Sequence, residues 1–372
     1  MTAPDIYIGL MSGTSIDSID AAAVSFGQDN LKLLGTLSHD IPATLKKAIL
    51  GLSEPGIDDV LLYSQTDNEI GELFAQATLA LMSKLNITAS QVKAIGSHGQ
   101  TVRHQPPGIK NGFSQQIGNP NLIAAQTGCS VVADFRRADM VRGGQGAPLV
   151  PAFHKSLFSH SEQVRIILNI GGISNITILY PDGKCQGFDT GPGNILLDGW
   201  CSKHRGEPYD NGGEWASSGT PSVPLLNQLM QHRFLDLTPP KSTGREDFNL
   251  AWLEQQVRSY PLSPEDIQST LTLFTVETIA QGIASISAPI DGIFACGGGV
   301  HNAKLISELN LSLSTRNLPE INLTSEIGLD PDWVEACAFA WLAKQRVEKK
   351  VGNLPSVTGA SKAVVLGGLY LP

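Results

Sequence analysis

One pattern occurs twice in this chain and constrains its fold more than any other feature. An apolar strand at Ile6–Leu10 leads into a polar turn of Gly, Ser and Thr and then into a strand at Ala21–Phe26. The pattern returns as Val164–Ile170, the turn Gly171-Gly172, and Ile176–Tyr180. Two weakly similar halves predict two related α/β domains with a cleft between them.

Length and charge agree with this prediction and exclude some functions. The 372 residues suit two domains of ~150–200 residues each. A net charge of −9 argues against non-specific binding of nucleic acid or anionic membranes. We see no signal peptide and no apolar run of transmembrane length. Five cysteines without a CxxC pair predict buried thiols, so we expect a cytoplasmic protein.

Apolar periodicity predicts the remaining elements. The strands are expected at Leu31–Leu37, Val92–Ser97, Ser130–Ala133 and Gly292–Cys296, and the helices at about Ala43–Leu52, Asp58–Leu85, Asn121–Thr127, Asn194–Lys203, Leu271–Ile286, from His301, and at Asp332–Lys344. Asp330-Pro331-Asp332 would cap the last helix. The segment Tyr209–Asn249 is predicted to be a loop.

The two glycine turns favour phosphate binding. Small residues and hydroxyls at Met11–Ser15 and Asn169–Asn175 allow close approach and donate to phosphate oxygens, although a plain hairpin turn fits the first one equally well. Asp17 and Asp20 suit a hydrated Mg²⁺. The chain has no Walker A motif, no GxGxxG after a strand and no GxSxG motif, so P-loop, dinucleotide and hydrolase sites are disfavoured.

Other polar stretches leave alternatives open. Asp189 precedes a Gly-Pro-Gly turn and is either a general base or an acceptor at a helix entrance. Gly297–Gly299 fits a nucleotide base or ribose, or a tight turn. The stretch Gly96–Gln105, with two His residues, fits hydrogen bonding to a ligand or a structural role better than a metal site. Asp134–Pro148 lines a cleft or forms a surface turn, and Glu335 is either a helix-dipole residue or an acceptor for hydroxyls.

Taken together, these motifs resemble the 1,6-anhydro-N-acetylmuramic acid kinases, within the superfamily of sugar kinases, Hsp70 chaperones and actin. The resemblance covers nearly the whole chain. It rests on IGLMSGTSIDSID (8–20), GSHGQTVRH (96–104), IGNPNLIAAQTG (117–128), VVADFRRADMVRGGQGAPLVPAFH (131–154), LNIGGISNIT (168–177), GFDTGPGN (187–194), STGREDFN (242–249), CGGGVHN (296–302) and DPDWVEACAFAWLA (330–343).

The resemblance implies a fold and a domain division. We expect an α/β protein of two ribonuclease-H-like domains, of the actin, Hsp70 and sugar-kinase type, with mixed sheets around a central cleft. Residues 1–130 with about 345–372 would form the N-terminal domain, and 131–344 the C-terminal domain with the nucleotide site. Family analogy also suggests a homodimer.

The resemblance also assigns site residues. Asp189 would be the catalytic base, and Asp17 and Asp20 would hold Mg²⁺ through water. The residues expected to bind ATP are Gly13, Thr14, Ser15, Ile16, Asp17, Ser18, Ile19, Asp20, Gly171, Gly172, Gly191, Gly193, Gly297, Gly298, Gly299 and Asn302. The residues expected to contact the sugar are Ser12, His98, Thr101, Arg136, Asp139 and Glu335.

The implied reaction hydrolyses the anhydro ring and phosphorylates O6, giving N-acetylmuramic acid 6-phosphate during peptidoglycan turnover. One alternative is a related kinase that phosphorylates an ordinary sugar hydroxyl. A second is a nucleotide-gated binding protein like the chaperones or actin, for which the chain shows no obvious extra segments.

Overall fold

The structure is a computed structural model that describes residues 5–13, 15–27, 31–53, 56, 59–105 and 112–372. The chain divides into two compact units. Unit 1 comprises Met1–Leu157 with Trp333–Pro372, and unit 2 comprises Phe158–Asp332. Among the predicted features, Thr14 and the start of the helix expected at Asp58 lie outside the described residues.

The strands of the described residues are β1 (Ile6–Met11), β2 (Ser18–Phe26), β3 (Leu31–Asp40), β4 (Val92–Ser97), β5 (Gln100–Gln105), β6 (Phe113–Ile117), β7 (Val131–Ala133), β8 (Arg165–Ile170), β9 (Ile173–Leu179), β10 (Cys185–Pro192), β11 (Gly292–Cys296), β12 (Ile321–Leu323) and β13 (Gly368–Tyr370).

The helices are α1 (Ala43–Ser53), α2 (Val60–Leu85), α3 (Pro120–Thr127), α4 (Arg137–Met140), α5 (Val150–Phe158), α6 (Ile195–Arg205), α7 (Glu214–Ser218), α8 (Val223–Leu229), α9 (Leu250–Val257), α10 (Pro264–Ala284), α11 (Ala303–Ser314), α12 (Val334–Val347) and α13 (Pro355–Thr358). Short 3-10 helices also occur, two of them at Asn211–Gly213 and Gly298–His301.

The main sheets of the two units share the order of five strands, and β13 is an additional strand at the edge of the unit 1 sheet. Read from the corresponding edge, the order is β3-β2-β1-β4-β7-β13 in unit 1 and β10-β9-β8-β11-β12 in unit 2. In each unit the first three strands form an antiparallel meander. The first strand of each meander then pairs in parallel with a later strand, which pairs in parallel with the next. This mixed sheet is the ribonuclease-H-like arrangement, so the predicted fold class is confirmed for each unit.

The unit boundaries differ from the predicted domain boundaries in two places. Residues 131–157 belong to unit 1, because β7 is paired with β4 and β13 of the unit 1 sheet. Residues 333–344 also belong to unit 1, because α12 packs on β1 and β4. Both segments are placed by contacts with residues far away in the sequence, which local periodicity does not report.

The packing of α12 on the unit 1 sheet depends on two glycines. A Cβ atom on Gly9 would lie 1.8 Å from the backbone oxygen of Ala336, and one on Gly96 would lie 2.0 Å from that of Phe339. Both distances are far inside van der Waals contact, so α12 sits directly on the backbone of β1 and β4. Gly9 therefore has a packing role within β1.

The N-cap side chain caps the start of α2, whereas that of α12 makes no capping bond. At α2, the Asp59 side chain accepts hydrogen bonds from Leu61 N and Leu62 N, and Asn86 ends the helix in the left-handed conformation. Asp330-Pro331-Asp332 were predicted to supply turn and N-cap chemistry for α12, and the N-cap part was wrong: the N-cap residue is Trp333, which makes no side-chain capping bond. Asp330 instead accepts a hydrogen bond from Asp332 N within the preceding turn.

The expectation of a loop over Tyr209–Asn249 was also wrong in part. The segment contains α7 and α8, and the buried side chains of Leu225, Leu229 and Phe234 belong to a core cluster of unit 2. The Asp210 carboxylate accepts hydrogen bonds from the first turn of α7, at Trp215 N and Ala216 N. Neither the β5–β6 hairpin nor the strand β10, which contains Asp189, had been predicted from the sequence.

Two broader expectations concern the cysteines and the membrane. The five cysteines are all buried as thiols, which confirms the prediction that they form no disulfide framework. Within the part of the chain that the structure describes, none of the helices combines the length and the apolarity needed to span a membrane.

The close contact of α12 with the sheet makes a testable prediction about stability. We expect Gly9→Ala to lower the free energy of unfolding by about 1–3 kcal/mol, because the added methyl group overlaps helix backbone that cannot move alone. The matched control is Gly51→Ala in α1, where a Cβ meets nothing within 4 Å. That change should be neutral or stabilising by up to about 1 kcal/mol. Denaturant unfolding of both variants checks this, and equal stabilities would contradict the packing role.

Candidate active site

Three glycine turns of unit 2 lie at one edge of its sheet. Strands β8, β10 and β11 run in the same direction, and their carboxyl ends meet at this edge, where Asn169 pairs with Cys296. The turn after β10 is bonded directly to the turn between β8 and β9: Gly193 N donates to Gly172 O (2.9 Å) and Asn194 N donates to Gly171 O (2.8 Å). The carboxyl edge of such a sheet is the usual place for a ligand.

The glycines of these turns have different roles. A Cβ on Gly193 would lie 2.2 Å from Gly171 O, so the close contact of the two turns requires glycine there. A Cβ on Gly191 would touch the side chain of Thr278 at 3.0 Å. A Cβ on Gly171 would find its nearest atom, Ile173 O, at 3.6 Å. Of these three glycines, Gly171 therefore has the most open space for a ligand beside its backbone.

The run Gly297–Gly299 divides in the same way. Gly297 has φ 83° and a Cβ there would lie 2.4 Å from Asn169 Oδ1, while one on Gly299 would lie 2.2 Å from Ile170 Cγ2. A Cβ on Gly298 meets none of the described atoms within 4 Å. Packing against the end of β8 thus explains why residues 297 and 299 are glycines. It does not explain Gly298, which has open space beside it. Asn302 caps α11 by accepting a hydrogen bond from Leu305 N (3.0 Å).

Asp189 lies at this same edge, inside β10 and 8% exposed. Its Oδ2 accepts a hydrogen bond from Thr243 N (2.9 Å), and its own N–H donates to Lys241 O (3.1 Å). Helix α6 begins only at Ile195, so Asp189 does not cap that helix. No role in the site had been predicted for the neighbouring segment 241–243, although residues 242 and 243 belong to the motif STGREDFN. Its position beside Asp189 depends on contacts across a stretch predicted to be a loop.

The first glycine turn, in unit 1, connects β1 to β2. Ile16 adopts φ 54°, and its N–H donates to Gly13 O (3.3 Å). The side chains of Ile16 and Ile19 are buried in the core, so only their backbone can reach a ligand. A Cβ on Gly13 would find no described atom closer than Ser15 Oγ at 3.9 Å. Space therefore remains on this face of the turn.

Two carboxylates follow this turn. Asp17 is exposed, and its Oδ1 accepts hydrogen bonds from Ser15 Oγ (2.7 Å) and Ser18 N (3.0 Å). Asp20 lies in β2, where its Oδ1 accepts one from Ser38 Oγ (2.9 Å). Such oxygen donors fit a hydrated Mg²⁺. Across the described ranges, no group of three or more His, Cys, Asp and Glu side chains is arranged to hold a metal ion directly.

Most of the residues predicted to contact a sugar fall in one region of unit 1. Ser12 Oγ donates to Gln100 Oε1 (2.6 Å), and His98 N donates to Leu10 O (3.0 Å). His98 Nε2 lies 2.8 Å from Nη2 of Arg136. Because a guanidinium only donates, Nε2 is the acceptor and the proton of the neutral ring is on Nδ1.

A chain of hydrogen bonds extends this region along the β5–β6 hairpin. Gln116 Nε2 donates to Thr101 Oγ1 (3.0 Å) and to Ser114 Oγ (2.8 Å), and Ser114 Oγ lies 2.9 Å from His104 Nδ1. We call Ser12, His98, Gln100, Thr101, His104, Ser114, Gln116 and Arg136 the polar cluster. Ser114 and Gln116 had not been singled out, and the alternating polar residues of FSQQI were the only sequence signal for them. Gln100 and His104 lie in the stretch Gly96–Gln105, for which hydrogen bonding to a ligand or a structural role had been predicted.

The structure places Asp139 away from solvent. It is 0% exposed, its Oδ1 accepts hydrogen bonds from Asn353 Nδ2 (2.6 Å) and Thr358 Oγ1 (2.7 Å), and its Oδ2 accepts one from Gly146 N (2.9 Å). In this conformation Asp139 is a structural anchor, a role that the sequence analysis did not assign. Glu335 lies in the first turn of α12 and is half-buried.

Three buried or partly buried histidines of unit 1 are held neutral by their surroundings. Burial, and then the Arg136 charge, lower the pKa of His98 well below its usual value. The same two causes lower the pKa of His104 to about 4, and burial alone lowers that of His154 to about 3. Neutral imidazoles can both donate to and accept from hydroxyl groups, as a sugar-binding surface requires.

These pKa shifts predict an acid-sensitive fold. In the unfolded chain these histidines take up protons below about pH 6.5, whereas in the folded chain they remain neutral to lower pH. The free energy of unfolding should therefore fall between about pH 6.5 and pH 4, by up to about 1.4 kcal/mol per pH unit for each histidine. Denaturant unfolding at several pH values measures this slope. His104→Gln should reduce it, and an unchanged slope in that variant would contradict the assignment for His104.

The strand order of each unit defines an α/β protein of the ribonuclease-H-like type, and comparison with known proteins defines the family. A sequence model described as "Anhydro-N-acetylmuramic acid kinase" matches residues 5–372. The chain is 49% identical to the anhydro-N-acetylmuramic acid kinase of Shewanella sp. (strain ANA-3), covering 98% of both chains. It is 46% identical to that of Saccharophagus degradans, covering 99% of this chain and 100% of the relative. The chain therefore belongs to the anhydro-N-acetylmuramic acid kinase family.

Solved structures resemble the chain more distantly. The activator of the 2-hydroxyisocaproyl-CoA dehydratase from Clostridium difficile, with bound ADPNP, is 11% identical with a TM-score of 0.47, covering 93% of this chain and 98% of that one. A ROK hexokinase from Thermus thermophilus is 16% identical with a TM-score of 0.37, covering 91% and 99%. Likeness of this degree has no bearing on the activity of this chain.

Proposed function

We propose that this chain is an ATP-dependent kinase that opens the ring of 1,6-anhydro-N-acetylmuramic acid and phosphorylates O6, giving N-acetylmuramic acid 6-phosphate for cell-wall recycling. Membership of the family supports this reaction. The observation that carries it is the position of Asp189, a nearly buried carboxylate at the sheet edge where the glycine turns of unit 2 meet.

The chemistry requires one base and one phosphate donor. The anhydro bridge joins C1 to O6, so O6 carries no proton and cannot act as an ordinary hydroxyl nucleophile. Water adds at C1 while the C1–O6 bond breaks, and O6 takes the γ-phosphoryl group of ATP as the bond to ADP breaks. The proton lost by water passes to the base, and ADP leaves.

Asp189 is our candidate for that base. A general base must be ionised and fixed in orientation. The hydrogen bond from Thr243 N stabilises the ionised carboxylate and limits its rotation. The Lys241 ammonium, which interacts electrostatically with Asp189, favours the same ionised form.

ATP phosphates are proposed to bind the backbone of the glycine turns. In unit 2, Gly171 and Gly172, with Gly191 and Gly193 holding the adjoining turn, provide room for close approach. In unit 1, the turn from Gly13 to Asp20 would contribute backbone amides and hydroxyls. The open side of Gly298, next to Asn302, suits the adenosine. Mg²⁺ held through water by Asp17 and Asp20 would neutralise charge developing on the phosphates.

The polar cluster is proposed to bind the sugar. Its neutral His98 and His104 and the hydroxyl of Thr101 match sugar hydroxyl and amide groups. Arg136 provides a cation for the lactyl carboxylate of the substrate. We further propose a cytoplasmic location and a homodimer, by analogy with the family.

The base assignment predicts that Asp189→Asn abolishes turnover while ATP binding remains nearly intact, because the amide keeps the shape but cannot take a proton. A coupled ADP-release assay with 1,6-anhydro-N-acetylmuramic acid measures kcat, and calorimetry measures ATP binding. The control is Asp182→Asn, an exposed residue beyond β9 whose carboxylate pairs with Lys184, and it should behave as wild type. Near wild-type kcat in Asp189→Asn would eliminate Asp189 as the base.

The same assay tests the substrate. Release of ADP with the anhydro sugar, and little with N-acetylmuramic acid or glucose, supports the proposal. Efficient phosphorylation of the ordinary sugars alone would show a kinase that acts on a free hydroxyl.

The first glycine turn gives a separate prediction. Gly13→Val should raise the KM for ATP by filling the space next to the turn, since no described atom of the fold lies there within 3.9 Å. Asp17→Ala should raise the Mg²⁺ concentration needed for half-maximal rate. Thermal unfolding should be little affected by either change. If both variants keep the wild-type dependence on Mg²⁺ and ATP, the turn has only a structural role.

A further inference from the structure

The stretch Lys241–Asp247 of unit 2, which we call the strap, contacts Asp189 in an unusual way. Asp189 N donates to Lys241 O, and Thr243 N donates to the Asp189 carboxylate. In a parallel pair of strands, the N–H of a residue donates to a carbonyl of the neighbouring strand. The backbone carbonyl of the same residue accepts from the N–H that lies two residues further along that strand. Here the side-chain carboxylate takes the place of that carbonyl, so the strap fixes both the backbone and the side chain of Asp189.

The strap is anchored at its first residue. Lys241 Nζ donates to Phe234 O (3.3 Å) and Leu235 O (3.2 Å), and it lies 4.6 Å from the centre of the Phe234 ring. Burial lowers the pKa of Lys241, although the nearby Asp189 and Asp236 carboxylates oppose this effect. The ammonium is thus held between backbone oxygens and an aromatic face.

The strap is anchored at its other end by a short turn and a buried ring. Asp247 N donates to Gly244 O (3.2 Å), and Phe248, next in the chain, is 0% exposed within the aromatic cluster of unit 2. Between these anchors, Thr243 Oγ1 donates to Asp247 Oδ2 (2.8 Å). This bond closes the turn and sets the direction of the Thr243 N–H that reaches Asp189.

We infer that Asp247 is a positioning residue for Asp189, acting through Thr243: the Asp247–Thr243 hydrogen bond holds the Thr243 N–H on the Asp189 carboxylate. This inference rests on the proposed role of Asp189 as base. Asp247 itself touches neither substrate nor the reacting atoms in this account. Its other contact, with the side chain of Arg233 at 3.2 Å, is at the surface, since Arg233 is 87% exposed.

Breaking the bond should slow chemistry without weakening nucleotide binding. In Thr243→Val and Asp247→Ala we expect kcat to fall about ten- to a hundredfold, as small displacements of a catalytic group typically do, with an unchanged KM for ATP. The double variant should lose no more than the stronger single variant, because both changes remove the same bond.

The pH profile of kcat distinguishes the positioning role from a general loss of stability, because a loss of stability alone would not shift its acid limb. The Thr243 N–H stabilises the ionised carboxylate of Asp189, so loosening this hydrogen bond should shift the acid limb of kcat to higher pH. The charged and titratable groups around this contact are Lys241 with Asp236 on one side, and Asp247 with Arg233, His232 and Glu246 on the other. Arg245 also belongs to the strap. Thr243→Val changes none of these groups, and Asp247→Ala changes only Asp247.

Three further variants complete the experiment, and thermal unfolding of each confirms that it is folded. Thr243→Ser keeps the hydroxyl and should recover most of kcat and the wild-type acid limb. Arg233→Ala removes the surface contact of Asp247 and should leave both unchanged. Asp189→Asn tests the proposed function separately, by its own loss of turnover.

The outcomes separate the two claims. Reduced kcat with a shifted acid limb, recovered by Thr243→Ser, supports the positioning role. If Asp189→Asn is inactive while Thr243→Val and Asp247→Ala keep wild-type kcat and pH profile, only the positioning role fails. A fall in kcat with an unmoved acid limb and no recovery in Thr243→Ser also overturns it. An active Asp189→Asn overturns the proposed function itself.

Discussion

Backbone hydrogen bonds between two glycine turns hold together the candidate active-site edge of unit 2. Gly193 and Asn194 donate to the carbonyls of Gly172 and Gly171, and the contact is so close that Gly193 has no room for a side chain. This contact fixes the end of β10 and therefore the position of Asp189 relative to the turns. Small residues are needed here for two reasons at once, because the backbones must approach each other and still leave amides open to phosphate.

In unit 1, the imidazole rings beside the Arg136 cation are neutral, so no second positive charge is buried next to it. Arg136 is placed against His98, whose ring remains neutral because burial and the guanidinium both disfavour its protonation. The buried carboxylate of Asp139 is satisfied by Asn353, Thr358 and a backbone amide, so it anchors the segment that follows Arg136. The cation of Arg136 is thus kept beside neutral imidazoles, an arrangement suited to an anionic sugar.

Local patterns predicted the fold well where local chemistry decides it. The strands at Val92–Ser97 and Gly292–Cys296 were predicted with their observed bounds. The repeated strand–turn–strand pattern predicted two related α/β halves, and the main sheets of the two units have five strands in the same order. Contacts between residues distant in the sequence were not predictable. They place β7 in the sheet of unit 1 and bring Thr243 onto Asp189 across a stretch predicted to be a loop. The motifs identified the candidate residues, but only the structure separates glycines required by packing from those with open space beside them.

The central claim is that water opens the anhydro ring as O6 receives the phosphoryl group. It is tested most directly by running the reaction with 1,6-anhydro-N-acetylmuramic acid and ATP in oxygen-18 water and analysing the product by mass spectrometry and NMR. The account predicts one oxygen-18 atom at C1 of N-acetylmuramic acid 6-phosphate and none in the phosphate group. A phosphorylated product that retains the anhydro ring, or oxygen-18 in the phosphate, would contradict it.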